Sequence, residues 1–319
     1  MSPRPMALFA LAGSEALGAR VAERLQIPLA AHEEREFEDG EHKARPLHTV
    51  QGRDVFVLHS LHGDAERSAN DRLCRLLFFC GALKDAGAER VTAVTPYLCY
   101  ARKDRRTKAH DPITTRYVAA LFESMRINRV ITIEVHNLAA FENAFRCPTV
   151  HVEVAPLLAA HIAPLLGGEP AVAVSPDAGG AKRAEQFRHA LEARTGREVG
   201  SAYMEKFRSS GILSGGLLVG EVRGRVAVIV DDLISTGSTL VRAATACRAA
   251  GATRVFAGAA HGLFMEGAPA LFASPAIDGI AVTDTVPPFR VTEAAAARLT
   301  VLDASDAIAR AIVACRDLA

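Results

Sequence analysis

The sequence has almost no net charge and no long apolar segment. Its 37 Lys and Arg residues nearly balance 36 Asp and Glu residues, which leaves a formal net charge of +1. This balance gives no support for bulk binding to nucleic acid or to a membrane surface. No apolar run approaches the ~20 residues that a membrane-spanning helix needs. The N-terminal segment is better explained by a first strand and helix than by a signal peptide.

Paired cysteines and the lysine of a P-loop are also missing. The six cysteines are scattered, with no Cys-x-x-Cys spacing and no histidine pairing, so we expect free thiols in a reducing cytoplasm. The glycine spacing from Gly13 to Gly18 approaches that of a P-loop. However, Ala19 and Arg20 stand where that loop needs Lys and Ser or Thr, which excludes a P-loop NTPase.

What is present is an ordinary globular composition over 319 residues, half of them apolar, which is enough chain for about two domains. Two segments repeat each other. Residues 52–58 parallel residues 224–230, and residues 87–91 parallel residues 251–255. The repeat predicts one strand–helix–strand unit used twice.

The most informative stretch is VAVIVDDLISTGSTL, residues 226–240. Its apolar start predicts a strand buried on both faces, which we expect to end before Asp231 and Asp232. The small residues Ser235–Thr239 then open a helix, where backbone N–H groups and the helix dipole favour an anion. The carboxylates suit sugar hydroxyls or a divalent cation through its waters. The stretch therefore predicts a phosphosugar site, although strand termination and helix capping use the same residue types.

Two further segments and one histidine favour a nucleotide. The segment Tyr100–Lys108 is the most basic of the chain, and guanidinium groups fit a triphosphate bidentately. A solvated charge run and a nucleic-acid patch are the alternatives, but the segment is short and contains an acid. Asp39-Gly40 predicts a turn within Phe37–Glu41. His136 directly follows the strand predicted at 129–135, although a lone histidine is more often structural.

Two segments of the second half have residues suited to binding a diphosphate group while it is transferred. Asp177 follows the strand predicted at 171–175, and Gly179 and Gly180 let the backbone approach a ligand closely. A carboxylate in this place suits Mg²⁺, which takes few protein oxygens together with substrate phosphates. Lys206 and Arg208 precede a Gly- and Ser-rich segment, which predicts a mobile loop that brings two cations onto the phosphates.

These motifs, in this order along nearly the whole chain, resemble the ribose-phosphate pyrophosphokinase (PRPP synthetase) family. The resemblance implies an α/β fold with two tandem type I phosphoribosyltransferase-like domains, each a mainly parallel sheet flanked by helices. We expect these domains at 1–150 and 151–319, with the C-terminal helix packing back on the first. The implied reaction transfers the β,γ-diphosphoryl group of ATP to the 1-hydroxyl of ribose 5-phosphate, giving PRPP and AMP.

The resemblance also implies roles for individual residues. The ribose 5-phosphate site would comprise Arg208, Asp231, Asp232, Ser235, Thr236, Gly237, Ser238 and Thr239. The ATP site would comprise Phe37, Asp39, Gly40, Glu41, Arg102, Lys103 and Asp104, with the first four reaching it from a neighbouring subunit of a homo-oligomer. Mg²⁺ would bind near His136 and Asp177, and catalysis would rest on Lys206, Arg208 and His136. Neither nucleic acid nor a membrane is an expected partner.

Three positions depart from the family pattern. Ser235 stands where many relatives have Asp, Lys103 replaces the usual Gln, and Phe207 replaces the middle cation of Lys-Arg-Arg. Two other functions therefore stay open at this point. One is a phosphoribosyltransferase that consumes PRPP, which would not need the ATP elements of the first half. The other is a non-catalytic subunit associated with PRPP synthetase.

Overall fold

The computed structural model describes the backbone of residues 4–209 and 212–317, and the side chains of these ranges except 206–209, 212–216 and 317. The chain divides into two compact units. One contains the chain up to Val152 together with the segment from Ala304, and the other is Glu153–Asp303.

The first unit is built on a parallel five-stranded sheet of order β1-β4-β5-β6-β7, with a separate antiparallel pair, β2-β3. In chain order its elements are β1 (Met6–Ala10), α1 (Glu15–Leu25), β2 (His32–Glu36), β3 (His42–Pro46), β4 (Asp54–Leu58), α2 (Ala69–Asp85), β5 (Arg90–Thr95), α3 (Thr114–Ser124), β6 (Arg129–Ile133), α4 (Leu138–Ala144), β7 (Thr149–Val152) and, from the end of the chain, α10 (Ser305–Asp317).

Apolar burial and capping explain these elements. The interior strand β4 is buried along its whole length, as the apolar run that follows Asp54 predicts for a parallel sheet. Helix α2 begins with a capping box, in which Ser68 Oγ accepts from Asp71 N–H and the Asp71 carboxylate accepts from Ser68 N–H. Its inner face carries Phe79, whose ring meets Phe9 of β1 edge to face at 5.3 Å. The C-terminal helix α10 packs with α1 in this unit, and Arg129 donates to the Cys315 carbonyl.

The second unit has a seven-stranded sheet of order β10-β9-β8-β11-β12-β13-β14, parallel except for the pair β9–β10. Its elements are α5 (Ala155–Leu165), β8 (Ala171–Ser175), a 3₁₀ turn (Ala178–Gly180), α6 (Ala181–Thr195), β9 (Val199–Ser209), β10 (Ile212–Val219), β11 (Val226–Ile234), α7 (Ser238–Ala249), β12 (Arg254–Gly262), α8 (Ala268–Ala273), β13 (Gly279–Thr283), α9 (Glu293–Ala296) and β14 (Leu299–Leu302).

The sheet topology supports the internal repeat. Strand β4 lies between β1 and β5 in the first sheet, and β11 lies between β8 and β12 in the second. The two sheets share this order because each strand–helix–strand crossover places its second strand beside the first.

The predicted fold class, α/β with two mainly parallel sheets flanked by helices, is confirmed.

Two local predictions are wrong. Strand β11 does not end before the acidic pair, because it keeps pairing with β12 as far as Ile234 opposite Gly262. Of the segment predicted as a loop after Lys206, the described residues belong to β9 and β10, which form an antiparallel hairpin with a register shift between Leu213 and Gly216. Residues 210–211 of the predicted loop lie outside the described residues. In both cases hydrogen bonding to a neighbouring strand overrides the local preference of polar and small residues.

All six cysteines are free thiols, in agreement with the absence of paired spacing. Within the described ranges 4–209 and 212–317, no helix has both the length and the apolar character needed to span a bilayer.

Candidate functional site

The acidic pair lies at the carboxyl edge of the central strand of the second sheet. Asp232 is buried, and the side chain of Asp231 is 23% exposed. Burial and the adjacent Asp232 carboxyl raise the pKa of Asp231 to about 7. Two adjacent carboxyls with little access to water resist full ionisation, so this position favours ligands that bring a cation or hydrogen-bond donors.

Arg183, on α6, faces the acidic pair. Its Nη1 lies 3.8 Å from Asp231 Oδ1 and 3.9 Å from Asp232 Oδ1, and its side chain is only 13% exposed. The guanidinium lowers the pKa of Asp231 and so opposes the effects of burial and of Asp232. The sequence motifs gave no role to Arg183, which lies six residues after Asp177. Only the packing of α6 against β11 reveals the contact.

The loop Ser235–Gly237 leads into α7, and its backbone is held from one side. The N–H groups of Leu263 and Phe264 donate to the Ile234 carbonyl, and the N–H of Met265 donates to the Ser235 carbonyl. These bonds connect the loop to the segment after β12. The start of α7 is therefore fixed by backbone contacts that do not involve the loop hydroxyls.

Helix α7 begins at Ser238 with Gly237 as its N-cap, and the Thr236 hydroxyl accepts from the Ser238 N–H at 3.4 Å. The first turn of a helix presents N–H groups without intrahelical partners. The Thr236 hydroxyl lies 3.2 Å from the Ser238 hydroxyl, beside this turn. The other N–H groups of the first turn, together with these hydroxyls, are of the kind that binds an anion.

The Asp177 loop follows β8, the strand next to β11 in the sheet. Asp177 Oδ1 accepts from the N–H groups of Gly179 and Gly180 at 3.0 and 3.2 Å. Because β8 and β11 are parallel neighbours, this loop, the acidic pair and the α7 start share one sheet edge. The structure thus brings together the predicted residues Asp177, Asp231, Asp232 and Ser235–Thr239.

In the first unit, the basic segment and His136 belong to neighbouring loops. Asn137 Nδ2 donates to Asp104 Oδ2 at 2.7 Å, which connects the segment after β5 to the loop after β6. His136 and Arg102 are exposed. The Lys103 ammonium lies 3.3 Å from Asp111 Oδ2, so the charge that replaces the usual Gln is paired within its own segment.

The Phe37–Glu41 segment forms the turn between β2 and β3. Phe37 N–H donates to the Glu41 carbonyl at 2.7 Å, Asp39 Oδ1 accepts from Glu41 N–H, and Gly40 has a φ of +87°. The turn predicted from Asp39-Gly40 is confirmed. The Phe37 ring is 40% exposed, with the Arg35 guanidinium 5.0 Å from its centroid. The structure places this turn on the separate two-stranded sheet.

The edge of the first sheet after β4 corresponds, by the internal repeat, to the edge of the second sheet after β11. Its side chains are of a different kind. His59 is fully buried, its ring lies 3.3 Å from the Ser14 hydroxyl, and burial lowers its pKa to about 3, so it is neutral. Glu34 accepts from Ala12 N–H at 2.7 Å, and the guanidinium of the buried Arg72 bonds the Ala12 carbonyl. Side chains of the chain itself fill this edge.

Lys206 and Arg208 lie in β9, where their backbones pair with Gly216 and Leu213 of β10. Their side chains lie outside the described part of the structure, so their catalytic role stays a prediction. Among the described side chains, no group of three or more His, Cys, Asp or Glu residues is arranged to hold a metal ion.

The raised pKa of Asp231 predicts a pH effect on the ligand-free protein. Between the ordinary carboxyl pKa and about 7, the folded chain keeps a proton that the unfolded chain releases. This group's contribution to the free energy of unfolding therefore falls as pH rises through that window, on the order of 1 kcal/mol per pH unit.

Urea unfolding of the chain and of Asp231→Asn at pH 5 and pH 8 measures this contribution. The unmodified chain should lose more stability than the variant between the two values. An equal loss in both proteins would contradict the raised pKa.

Comparison with known proteins was made for the whole chain. The model for the N-terminal domain of ribose phosphate pyrophosphokinase matches residues 6–125. A phosphoribosyl transferase domain model matches residues 146–261, and a phosphoribosyl synthetase-associated domain model matches residues 215–317.

Full-length relatives were also found. Ribose-phosphate pyrophosphokinase 1 of Streptococcus agalactiae is 33% identical over 287 residues, covering 90% of this chain and 87% of that protein. The protein of the same name from Streptococcus pyogenes is 32% identical over 314 residues, covering 98% and 95%. The crystal structure of phosphoribosylpyrophosphate synthetase from Mycobacterium smegmatis superposes with a TM-score of 0.87 at 31% identity, covering 99% of this chain and 100% of that one.

Proposed function

The chain belongs to the ribose-phosphate pyrophosphokinase (PRPP synthetase) family, and we propose that it is a catalytically active member. Its domains are of the phosphoribosyltransferase type found in that family. The proposed reaction is ATP plus ribose 5-phosphate to PRPP plus AMP.

One observation carries the proposal: a largely buried acidic pair and the start of helix α7, whose N-cap is a glycine, share the edge of the second sheet. Ionised carboxylates accept hydrogen bonds, so Asp231 and Asp232 suit the ribose hydroxyls. The N–H groups at the start of α7, with the hydroxyls of Ser235–Thr239, suit the 5-phosphate. Ser235 has no carboxylate, but the phosphate contacts of this loop do not need one.

The nucleotide is assigned to residues of the first unit. Phe37 offers an exposed ring for stacking on adenine, while Asp39 and Glu41 offer hydrogen-bond acceptors. Arg102, Lys103 and Asp104 follow β5, and His136 follows β6. We assign the basic side chains and His136 to the ATP phosphates. Following the family resemblance, the Phe37–Glu41 turn serves the ATP site of a neighbouring subunit in a homo-oligomer.

In the proposed reaction, the anomeric oxygen of ribose 5-phosphate attacks the β-phosphorus of ATP in line. An O1–Pβ bond forms, the bond from Pβ to the oxygen bridging to Pα breaks, and AMP leaves with that electron pair. The hydroxyl proton is released. Catalysis is then positioning and charge neutralisation. Lys206 and Arg208 are the proposed cations for the transferring diphosphoryl group.

Mg²⁺ fits the residues at the edge of the second sheet. Asp177 supplies a hard oxygen ligand beside N–H groups of Gly179 and Gly180, and Mg²⁺ keeps waters and substrate phosphates as its other ligands. When bound, the ion would offset the negative charge of the ATP phosphates. Asp177 is the residue of this edge proposed to hold it with the nucleotide, and His136 stays the metal-binding candidate of the first unit.

The decisive experiment is AMP release from ATP by the purified chain in Mg²⁺, with and without ribose 5-phosphate. We expect AMP and PRPP in equal amounts, and only when ribose 5-phosphate is present. The assay includes Asp231→Asn, which should require more ribose 5-phosphate for half-maximal rate because a neutral amide replaces a carboxylate acceptor.

Two other results would contradict the proposal. Consumption of added PRPP with a nucleobase, without AMP release, would indicate a phosphoribosyltransferase. No turnover by the folded chain in either assay would indicate a non-catalytic subunit associated with PRPP synthetase, an outcome that the Phe207 and Ser235 departures would then explain.

A further inference from the structure

We propose that Arg183 is a positioning residue of the sugar site, which holds the Asp231 and Asp232 carboxylates in place to receive the ribose hydroxyls. This inference rests on the proposed function and extends it to a residue whose role the sequence motifs do not specify. Its basis is the position of one guanidinium nitrogen within 3.9 Å of an oxygen of each carboxylate.

The geometry favours a charge contact with both acids at once. Distances of 3.8 and 3.9 Å exceed the 2.7–3.2 Å of a direct N–H···O bond, so these two contacts act through charge. Asp231 Oδ1 also accepts a hydrogen bond from the Asp232 N–H at 2.9 Å, so the backbone and Arg183 together fix this carboxylate. Attraction between such groups is stronger here than at the surface, because Arg183 and Asp232 are both largely buried.

The acidic pair needs a cation because a protonated carboxyl is a poorer acceptor. Asp231 titrates near neutral pH in this environment, and Arg183 is the charge that pulls its pKa back down. Without the guanidinium, a larger share of the pair would be protonated at neutral pH, and one acceptor for a ribose hydroxyl would be lost.

Arg183 is also held by its surroundings. It lies in the first turn of α6, directly after the Asp177 loop, and a side chain on Gly180 would place its Cβ 3.7 Å from Arg183 Nη1. The side chain therefore packs against the loop proposed to meet the diphosphate. One residue thus contacts both the loop after β8 and the acids of β11.

Helix α6 supplies a matched control. Arg188 lies on the same helix and pairs with Glu185 and Glu192, three and four residues away. Arg188→Ala removes the same charge and the same side-chain volume from α6 without touching the acidic pair.

The first test measures binding of ribose 5-phosphate by calorimetry without ATP, together with steady-state kinetics. Arg183→Ala and Arg183→Gln should raise the Kd and the KM for ribose 5-phosphate by about tenfold or more, as loss of a charged partner implies, with the KM for ATP nearly unchanged. Arg183→Lys should recover most of the affinity, because it restores a positive charge. Arg188→Ala should bind like the unmodified chain.

A second test needs no ligand. A double-mutant cycle of Arg183→Gln and Asp231→Asn, read by urea unfolding at pH 8, should show a favourable coupling between the two side chains. Zero coupling, or unchanged ribose 5-phosphate binding in Arg183→Gln, would overturn the role of Arg183. Failure of Lys to improve on Gln would also overturn it. Failure of the unmodified chain to bind ribose 5-phosphate would instead contradict the proposed function itself.

Discussion

Replacing Lys206 with Ala should lower kcat by at least ~10²-fold, the typical loss when one charge-stabilising donor is removed from a transition state. The affinity for ribose 5-phosphate should change little, because the proposed sugar site lies at the end of β11 and in the Ser235–Thr239 loop. The backbone of Lys206 lies in β9.

The measurement is single-turnover and steady-state PRPP formation, with calorimetry for the sugar phosphate. Lys182→Ala provides the control, since Lys182 is an exposed lysine on α6 to which we assign no role. If Lys206→Ala retained the kcat of the unmodified chain, Lys206 would have no part in the mechanism. A weakened Kd with unchanged kcat would instead place it in ground-state binding.

Replacing Gly237 with Ala should damage the phosphate site and the stability of the second unit together. Gly237 has a φ of +77°, and a Cβ there would lie 2.7 Å from the Cβ of Leu271. Leu271 is fully buried in α8, and its Cβ is attached directly to the backbone, so no rotamer change relieves the clash. The start of α7 must therefore move, and with it the N–H groups proposed to hold the 5-phosphate.

We expect a loss of about 1–3 kcal/mol in the free energy of unfolding, from backbone strain and overpacking. The Kd for ribose 5-phosphate should rise by about tenfold or more, equivalent to ~1.4 kcal/mol of binding free energy. Urea unfolding and calorimetry measure the two effects on one preparation.

Gly224 is the matched control for this substitution. It has a similar φ of +68°, but an added Cβ there would meet no atom within 4 Å. Gly224→Ala therefore carries the backbone strain without the clash, and it should leave ribose 5-phosphate binding unchanged. Equal effects of the two substitutions would indicate that strain alone, and not the packing of Leu271 against the loop, determines the outcome.

Much of the fold was predictable because local pattern and tertiary position agree. The apolar runs of β1, β4, β5 and β8 are buried on both faces, so continuous hydrophobicity marks them as parallel strands. The hairpin β9–β10 was missed because its polar and Gly-rich sequence has no strand pattern. It forms because β9 extends the sheet beside β8, with Ser175 opposite Tyr203.

The candidate site was also predictable only in part. The Asp177 loop, the acidic pair and the Ser235–Thr239 loop are continuous motifs, so their residue types and order indicate their chemistry directly. Arg183 was not assigned because its partners lie far along the chain, and no local signal distinguishes it from a helical surface arginine such as Arg188.

The sequence by itself determined the class of fold, the duplication and the kind of ligand that we propose, because these follow from hydrophobic periodicity and from short motifs whose residues are neighbours in the chain. Only the tertiary structure decided how far β11 extends, that Gly237 is the N-cap of α7, and that Arg183 faces both carboxylates. These features arise from hydrogen bonds and packing between segments remote in sequence, and no local pattern encodes which segments become neighbours.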